Sequence, residues 1–210
     1  MKNNYLRCVI IGAAKISNYD KIKTFLRPDD FYIVCDGGLN HIERLNIEPD
    51  LIVGDFDSHS NPHLSIETIV LPHEKDDTDS VFALKTALRR GFKDFLFLGM
   101  LGGRLDHELG NLCMLLKCFD EKVKAVMVDD YSELEAVGCQ KAEITDEYSY
   151  FSVLNIWGTA CKITIRNALY NLEDAEIPPS YQYGVSNEVL KGKKAEVSAK
   201  EGCLLLVKDF

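Results

Sequence analysis

Apolar residues along the first 130 positions come in short, continuous runs rather than in alternation with polar residues. Continuous runs of strand-favouring residues are typical of β-strands that are covered on both faces. Polar segments rich in turn residues separate these runs. The strands predicted in this way cover residues 7–12, 31–36, 51–55, 67–71, 94–99 and 123–130.

Two helices are predicted between the later strands of this series. The first begins near Thr78 or Asp79, either of which is a good N-cap, and ends at Gly91. The second covers residues 105–119, where apolar residues repeat at helical spacing. Strands that alternate with helices predict an α/β domain with a mostly parallel sheet and helices on both faces. The apolar stripe of the second helix consists of Leu105, Leu109, Leu112 and Leu116.

After about residue 131 the pattern changes to short strands with no helix-length periodic segment between them. Glycine, proline, asparagine and charged residues separate the strands, which indicates a small antiparallel β unit, a sandwich or a half-barrel. We divide the chain into an α/β domain at residues 1–135 and an antiparallel domain at residues 136–210, which we take as a β-sandwich. The strands predicted for the second domain lie within residues 149–157, 161–166, 195–200 and 202–207.

Composition narrows the class of protein. The 210 residues are 46% hydrophobic and 27% charged, as in ordinary globular domains. The net charge of −9 is spread over both halves, which argues against nucleic acid as a partner. Seven scattered cysteines without a CxxC pair indicate reduced thiols, and no apolar run is long enough to span a membrane. We expect a cytoplasmic protein with no membrane partner.

Aspartate and glycine collect where the predicted parallel strands end. Ligands bind at the carboxyl ends of the strands in open α/β sheets. Side chains two residues apart on an extended backbone point the same way, so Asp55 and Asp57 should project together and favour a cation between them. Four successive strand ends carry such segments, which are DGGLN (36–40), GDFDS (54–58), PHEKDDTDS (72–80) and MLGGRLDHELGN (100–111).

The acidic residues of these segments predict a magnesium site that holds a nucleotide. Carboxylates without nearby histidine or cysteine pairs suit Mg²⁺, which commonly bridges them to substrate phosphates. The glycine loops, the N-terminus of the second helix, Lys75 and Arg104 would hold those phosphates. The acids expected to converge on this cleft include Asp55, Asp57, Asp76, Asp79 and Asp106.

Each motif also has a simpler interpretation. Two aspartates at a strand end are common in a turn with a helix cap, and a glycine pair is common in loops. His107 on the second helix is more typical of a packed or capping residue than of a ligand, and Asp77 is expected to face solvent. The occurrence of the motifs together, at successive strand ends, favours the functional interpretation.

The series DGGLN, GDFDS, EKDDTDS and GGRLDH closely resembles the motif series of the thiamine pyrophosphokinase family. ALYNLED (168–174) and GVSNE (184–188) resemble the two thiamine-side motifs of that family, in the same order and before a similar final strand. The resemblance covers nearly the whole chain. It implies Mg²⁺-dependent transfer of the pyrophosphoryl group of ATP to thiamine, which gives AMP and thiamine diphosphate. It also implies that an α/β domain binds Mg-ATP, that a β-sandwich domain binds thiamine, and that a homodimer shares its active sites.

The resemblance implies roles for individual residues. Asp55, Asp57, Asp76 and Asp79 fall on the acidic metal and phosphate positions, and Asp106 joins them as a catalytic residue. Tyr170 falls where the family has an aromatic that stacks on thiamine, and Ser186 with Asn187 falls on a pair beside the aminopyrimidine. The residues implied on the ATP side are Asp36, Gly37, Gly38, Lys75, Thr78, Gly102, Gly103, Arg104 and His107.

The chain departs from the family pattern at two positions. The family usually has Gly-Leu where Asn167 and Ala168 stand. Asparagine is the residue other than glycine that best tolerates a left-handed backbone, so we expect the turn at Asn167 to be kept. Ala168 leaves less side chain near the pocket, which bears on how thiamine fits.

Three other functions are compatible with parts of the sequence. Another diphosphokinase, for example one that acts on a hydroxymethyl pterin, would share the α/β half and differ in the acceptor motifs. A nucleotide- or thiamine-sensing module would have lost turnover, although the retained acids argue against it. A phosphatase with an aspartate nucleophile usually has threonine two places after the second aspartate, where this chain has His59.

Overall fold

The chain folds as two compact units that divide after Asp130. The structure is a computed structural model that describes residues 6–56, 65–72, 74 and 76–210. The first unit ends at Asp130 and the second is Tyr131–Phe210, whereas the sequence analysis places the boundary after residue 135. No helix among the described residues is both long and apolar enough to cross a membrane.

In the described part of the first unit, six parallel strands form a sheet. They are β1 (Arg7–Ile11), β2 (Asp30–Cys35), β3 (Leu51–Gly54), β4 (Glu67–Val70), β5 (Asp94–Leu98) and β6 (Lys124–Val128). Their spatial order is β4-β3-β2-β1-β5-β6, and every neighbouring pair is parallel. Strands β1 and β3 are buried along their whole length, as their continuous apolar runs predict.

Short and long helices connect these strands. They are α1 (Tyr19–Lys23), a 3₁₀ helix (Asp36–His41), α2 (Ile42–Leu45), α3 (Asp79–Arg89) and α4 (Leu105–Asp120). Helices α3 and α4 confirm the two predicted from the sequence. Thr78 is the N-cap of α3, because its hydroxyl accepts a hydrogen bond from the Val81 N–H at 3.4 Å. The parallel sheet with its helices confirms the predicted α/β class.

The leucine stripe of α4 is not the face that this helix buries. Leu105 and Leu109 are 67% and 55% exposed. The buried residues of α4 are Met114, Leu115 and Cys118. Apolar residues occur on more than one side of this helix, so their spacing predicts a helix but does not identify the side that packs.

Two antiparallel sheets form the second unit. Its strands are β7 (Ser132–Val137), β8 (Ala142–Thr145), β9 (Tyr150–Leu154), β10 (Cys161–Arg166), β11 (Leu172–Ala175), β12 (Lys194–Glu201) and β13 (Leu204–Asp209). Strand β13 pairs with β7 and β9, and the other sheet has the order β11-β10-β12-β8. Side chains from both sheets, among them Phe151, Val197 and Leu206, share one apolar core. This arrangement confirms the predicted antiparallel β-sandwich.

Candidate active site

A cavity of about 640 Å³ lies at the carboxyl ends of the parallel strands in the first unit. Strand β1 has β2 on one side and β5 on the other, so the order of the sheet reverses beside β1. Loops that leave the sheet at such a point diverge and open a crevice for a ligand. The described residues that line the cavity come from the end of β2, from the loops after β1, β2, β3, β4 and β5, and from α3 and α4.

Glycines let the loops after β1 and β2 approach each other closely. A Cβ atom on Gly38 would lie 2.4 Å from the Ile11 carbonyl oxygen, and one on Gly37 would lie 2.5 Å from the Ala13 Cβ. Either distance is too short for a real contact, so the chain needs glycine at both positions. Gly37 lines the cavity, whereas Gly38 is buried and is not among the lining residues described. The sequence analysis placed both in the site, and the structure gives them different positions.

Backbone hydrogen bonds tie the loop after β1 to the end of β5. The Gly12 N–H donates to the Leu98 carbonyl, and the Ala14 N–H donates to the Gly99 carbonyl, both at 2.8 Å. Gly12, Ala14 and Gly99 all line the cavity. Two strand ends that are distant in sequence therefore form one continuous wall.

Four of the predicted acids line the same cavity. Asp36 is buried, Asp55 and Asp79 are half-buried, and Asp76 is exposed. Asp36 follows β2, Asp55 follows β3, and Asp76 and Asp79 lie before and at the start of α3. The sequence analysis expected carboxylates to converge at these places. Asp57 and Lys75 lie outside the described residues. Asp77 also borders the cavity, but its two carboxylate oxygens each accept from Lys85 Nζ at 2.7 Å.

A polar network in the wall of the cavity joins the start of α3 to α4. The Ser80 hydroxyl donates to Asn111 Oδ1 at 2.9 Å, and Asn111 Nδ2 donates to the Met100 carbonyl at 2.8 Å. Thr78 Oγ1 lies 3.1 Å from the Ser80 hydroxyl. The sequence analysis did not assign Ser80 or Asn111, although both lie inside the segments it singled out after two strands. Their pairing depends on the packing of two helices.

Arg104 and Asp106 form an exposed ion pair at the rim. The Arg104 guanidinium donates to both oxygens of Asp106, at 2.6 and 3.2 Å, and the two side chains are 73% and 65% exposed. This hydrogen bond holds the pKa of Asp106 below its ordinary value. Arg104 lines the cavity together with Gly102, Gly103 and His107, and Asp106 is not among the lining residues described. Arg104, which was predicted to bind phosphate, and Asp106, which was predicted as a catalytic residue, therefore contact each other.

His41 forms a hydrogen bond to Ala14 in the loop after β1. Its imidazole is buried, with Nε2 at 3.1 Å from the Ala14 carbonyl oxygen and Nδ1 at 2.7 Å from the Tyr19 hydroxyl. A neutral ring satisfies both contacts when Nε2 donates to Ala14 and Nδ1 accepts from Tyr19. Burial lowers the pKa of His41, the hydrogen bond to Ala14 opposes this shift, and Arg44 adds to it. The sequence analysis missed His41, whose only signal is its place directly after DGGLN.

The predicted thiamine-side residues lie together in the second unit. Tyr170 is 66% exposed, and Ser186 is exposed with a positive φ of 55°. The buried side chain of Asn187 is hydrogen-bonded to the backbone of Tyr170. Asn167 has a φ of 58°, which confirms the expected left-handed turn. Ala168 is buried, so it contributes to the core of this unit.

The segment GVSNE lies against strand β9. The Val153 N–H donates to the Gly184 carbonyl at 2.7 Å, and the Asn187 N–H and carbonyl pair with those of Phe151 at 2.8 Å each. A Cβ atom on Gly184 would lie 2.4 Å from the Val153 carbonyl oxygen. Glycine is therefore required at the start of this motif, because the backbone approaches the strand too closely for a side chain.

The chemistry of the cavity suits a hard cation. Asp36, Asp55, Asp76 and Asp79 offer carboxylate oxygens, which are the ligands that Mg²⁺ prefers. Within the described ranges, which omit Asp57, no three histidine, cysteine or acidic residues form a ready-made metal cluster. An Mg²⁺ ion normally keeps several waters and binds only one or two protein carboxylates besides the substrate phosphates, so this donor set fits it.

Comparison with known proteins agrees with the geometry of both units. The family model described as the catalytic domain of thiamin pyrophosphokinase matches residues 22–127, and the model of its vitamin B1 binding domain matches residues 140–204. A thiamine pyrophosphokinase of Bacillus subtilis is 27% identical over 186 residues, which are 85% of this chain and 86% of that protein.

Solved structures show the same fold. A crystal structure of the Bacillus subtilis thiamine pyrophosphokinase superposes with a TM-score of 0.85 at 21% identity, over 97% of this chain and 98% of that one. A thiamin pyrophosphokinase from Geobacillus thermodenitrificans superposes with a TM-score of 0.83 at 24% identity, over 97% of both chains.

An α/β unit with an acidic, glycine-lined cavity, followed by a β-sandwich unit, agrees with the order of a catalytic domain and a vitamin B1 binding domain in the family models. The chain belongs to the thiamin pyrophosphokinase family, since its two family models match in order and the first spans half of its length.

Proposed function

We propose that the chain transfers the pyrophosphoryl group of ATP to the hydroxyl of thiamine in the presence of Mg²⁺, giving AMP and thiamine diphosphate. The carrying observation is the convergence of carboxylates and glycines from successive strand ends on one cavity, in a chain that matches both family domains. The scattered cysteines, all of them free thiols, support a cytoplasmic setting.

The nucleotide side of the reaction belongs to the first unit. The carboxylates proposed for Mg²⁺ are those of Asp55, Asp76 and Asp79, which line the cavity, and of Asp57, which lies outside the described residues. One or two of them would bind the ion directly, and Asp36 is proposed on the ATP side. When bound, the ion neutralises charge on the phosphate oxygens and on the departing AMP. The glycines in the cavity wall leave space for a polyphosphate chain beside the backbone. The Arg104 guanidinium and Lys75 would supply the positive charge that balances the phosphates.

The transfer itself is a displacement at phosphorus. The hydroxyl oxygen of thiamine forms a bond to the β-phosphorus of ATP, the bond from that phosphorus to the α–β bridging oxygen breaks, and AMP leaves with that oxygen. The proton of the thiamine hydroxyl passes to Asp76 or Asp79. Catalysis of this kind rests mainly on positioning and on stabilising charge, which suits a cavity built from fixed backbone and carboxylates.

The acceptor side of the reaction belongs to the second unit. The exposed ring of Tyr170 offers an aromatic face to the cationic thiamine, and the hydroxyl of Ser186 can both donate to and accept from a pyrimidine edge. The ATP residues lie before residue 112 and the thiamine residues after 167. We propose that two copies of the chain form a homodimer in which thiamine residues of one subunit serve the nucleotide cavity of the other.

Product analysis tests the proposed function. With ATP, Mg²⁺ and thiamine, we expect AMP and thiamine diphosphate in equal amounts. The appearance of ADP with thiamine monophosphate would contradict a pyrophosphoryl transfer. Turnover with a hydroxymethyl pterin but not with thiamine would instead assign the rival acceptor, and nucleotide binding without AMP release would assign a sensing module.

A further inference from the structure

The side chain of Asn187 directs its polar atoms to the backbone around Tyr170. Asn187 is 3% exposed. Its Oδ1 accepts from the Tyr170 N–H at 3.0 Å and from the Glu188 N–H at 2.9 Å, and its Nδ2 donates to the Tyr170 carbonyl at 2.7 Å. One buried amide therefore holds both backbone polar groups of Tyr170.

The segment that carries Asn187 is itself anchored. Its backbone pairs with Phe151 in both directions at 2.8 Å, and Phe151 is fully buried in the core of the second unit. The Leu169 N–H donates to the Glu188 carbonyl at 2.9 Å, which adds a second link between the two motifs. Asn187 therefore connects the loop that carries the exposed ring of Tyr170 to strand β9 through hydrogen bonds.

The residue before Asn187 is fixed by the same arrangement. Ser186 has a left-handed backbone with φ of 55°, and its N–H donates to the Ser152 hydroxyl at 3.1 Å. A left-handed conformation in a residue other than glycine persists only where its surroundings hold it. The hydrogen bonds of the next residue, Asn187, and the bond from the Ser186 N–H to the Ser152 hydroxyl supply that restraint.

We infer that Asn187 is a positioning residue, which orders Tyr170 and Ser186 for thiamine and does not itself bind the substrate. The inference rests on the proposed function, in which Tyr170 and Ser186 face thiamine. Three of the four hydrogen bonds open to an asparagine amide are already made to the backbone. Ordering an exposed aromatic before the ligand arrives removes an entropic cost from binding, so the effect falls on thiamine affinity.

The second unit offers a matched control. Asn155 is also 3% exposed and also makes three side-chain hydrogen bonds to backbone, two donated by Nδ2 to Ala160 and Ile177 and one accepted from the Ala160 N–H. None of these bonds reaches Tyr170 or Ser186. Asn187→Leu and Asn155→Leu should therefore lower stability in the same way, because each leaves backbone groups unpaired.

The experiment compares these variants with Tyr170→Ala in steady-state kinetics and thermal melting. We expect Asn187→Leu to raise the KM for thiamine about tenfold while the KM for ATP stays within about twofold. Asn155→Leu should lower the melting temperature without raising the KM for thiamine. Asn187→Asp keeps the acceptor oxygen and loses the donor to Tyr170, so it should give an intermediate KM and serves if the leucine variant does not fold.

A combined variant separates positioning from direct binding. If Asn187 acts through Tyr170 and Ser186, Asn187→Leu should add little to the KM for thiamine in a background that carries both Tyr170→Ala and Ser186→Ala. Additive effects would mean that Asn187 contacts thiamine and would overturn the inference, as would a KM for thiamine that is unchanged in Asn187→Leu and Asn187→Asp. An unchanged KM for thiamine in Tyr170→Ala itself would count against the proposed function instead.

Discussion

At the scale of single residues, several polar side chains in the two halves of the proposed site form hydrogen bonds to the backbone. His41 is hydrogen-bonded to the Ala14 carbonyl and Asn111 to the Met100 carbonyl. Asn187 is hydrogen-bonded to both the backbone N–H and the backbone carbonyl of Tyr170. A buried polar group is costly unless it is hydrogen-bonded, so each of these side chains is satisfied only in one local geometry. The loops around the two halves of the proposed site are therefore fixed by side chains outside the proposed catalytic set.

Asp55→Asn tests the proposed magnesium site at this scale. The change removes one charge and little volume, so the fold should persist while turnover falls about a hundredfold or more. The measurement is kcat over a titration of Mg²⁺ at saturating ATP and thiamine. Asp77→Asn is the matched control in the neighbouring loop, because its carboxylate is already bonded to Lys85. Near-normal turnover of Asp55→Asn with an unchanged Mg²⁺ requirement would remove Asp55 from the metal site.

His41→Gln tests how pH acts on the first unit. Burial lowers the pKa of His41 below its ordinary 6.5, so as pH falls the unfolded chain binds a proton before the folded chain does. The stability that depends on neutral His41 is complete above that ordinary value and is lost as pH falls through the lower folded value. Glutamine keeps an N–H for the Ala14 carbonyl and does not titrate.

The measurement for this histidine is the melting temperature between about pH 7 and about pH 5. The wild type should lose stability more steeply over this window than His41→Gln does. Parallel curves for the two proteins would show that the titration of His41 does not contribute to acid sensitivity.

At the scale of elements, the walls of the cavity depend on how closely strand ends approach each other. The 3₁₀ helix that follows β2 packs directly on the end of β1, with no space for a Cβ atom at Gly38. Hydrogen bonds from Gly12 and Ala14 tie the same strand end to β5. The position of each loop is therefore set by its neighbours in the sheet more than by its own sequence.

Gly38→Ala tests this close approach. The added Cβ would lie 2.4 Å from the Ile11 carbonyl oxygen, so the loop must move and we expect a loss of about 1–3 kcal/mol in unfolding free energy. The KM for ATP should rise as the wall shifts. Gly110→Ala in α4 is the control, because nothing lies within 4 Å of its added Cβ and alanine favours a helix. Equal melting temperatures for the two variants would contradict the packing argument.

At the scale of the whole molecule, the proposed reaction divides between two units of one chain. The acids that line the cavity belong to the first unit, and Tyr170, Ser186 and Asn187 belong to the second. Each unit matches its own family model. This division makes the proposed sharing of sites between subunits open to a direct test.

Complementation between inactive subunits provides that test. Asp55→Asn inactivates the nucleotide half and Tyr170→Ala the thiamine half, so either protein alone should have little activity. After random subunit exchange about half of the dimers are mixed, each with one site built from intact halves, and activity should return toward about a quarter of wild type. Activity that stays low after demonstrated exchange would mean that each chain builds its own site.

Local sequence patterns were sufficient for the architecture and for the family. The apolar runs predicted all six parallel strands, and capping and spacing predicted α3 and α4. Asn167 was expected to keep a left-handed backbone because the family usually has glycine there and asparagine tolerates that conformation. The sequence analysis missed strands β7, β8 and β11, helices α1 and α2 and the 3₁₀ helix. These elements are four to six residues long, which is too short to show a clear period.

Contacts between residues far apart in sequence were decided only by the tertiary structure. The face that α4 buries, the bond from His41 to Ala14, the Ser80–Asn111 link and the hold of Asn187 on Tyr170 all depend on which elements pack together. Arg104 and Asp106 are only two positions apart, yet their ion pair also depends on the fold. Helix α4 begins between them, at Leu105, and their side chains turn toward each other. A sequence motif specifies residue types and spacing, whereas hydrogen bonds require direction and distance, and those arise only when the backbone is folded.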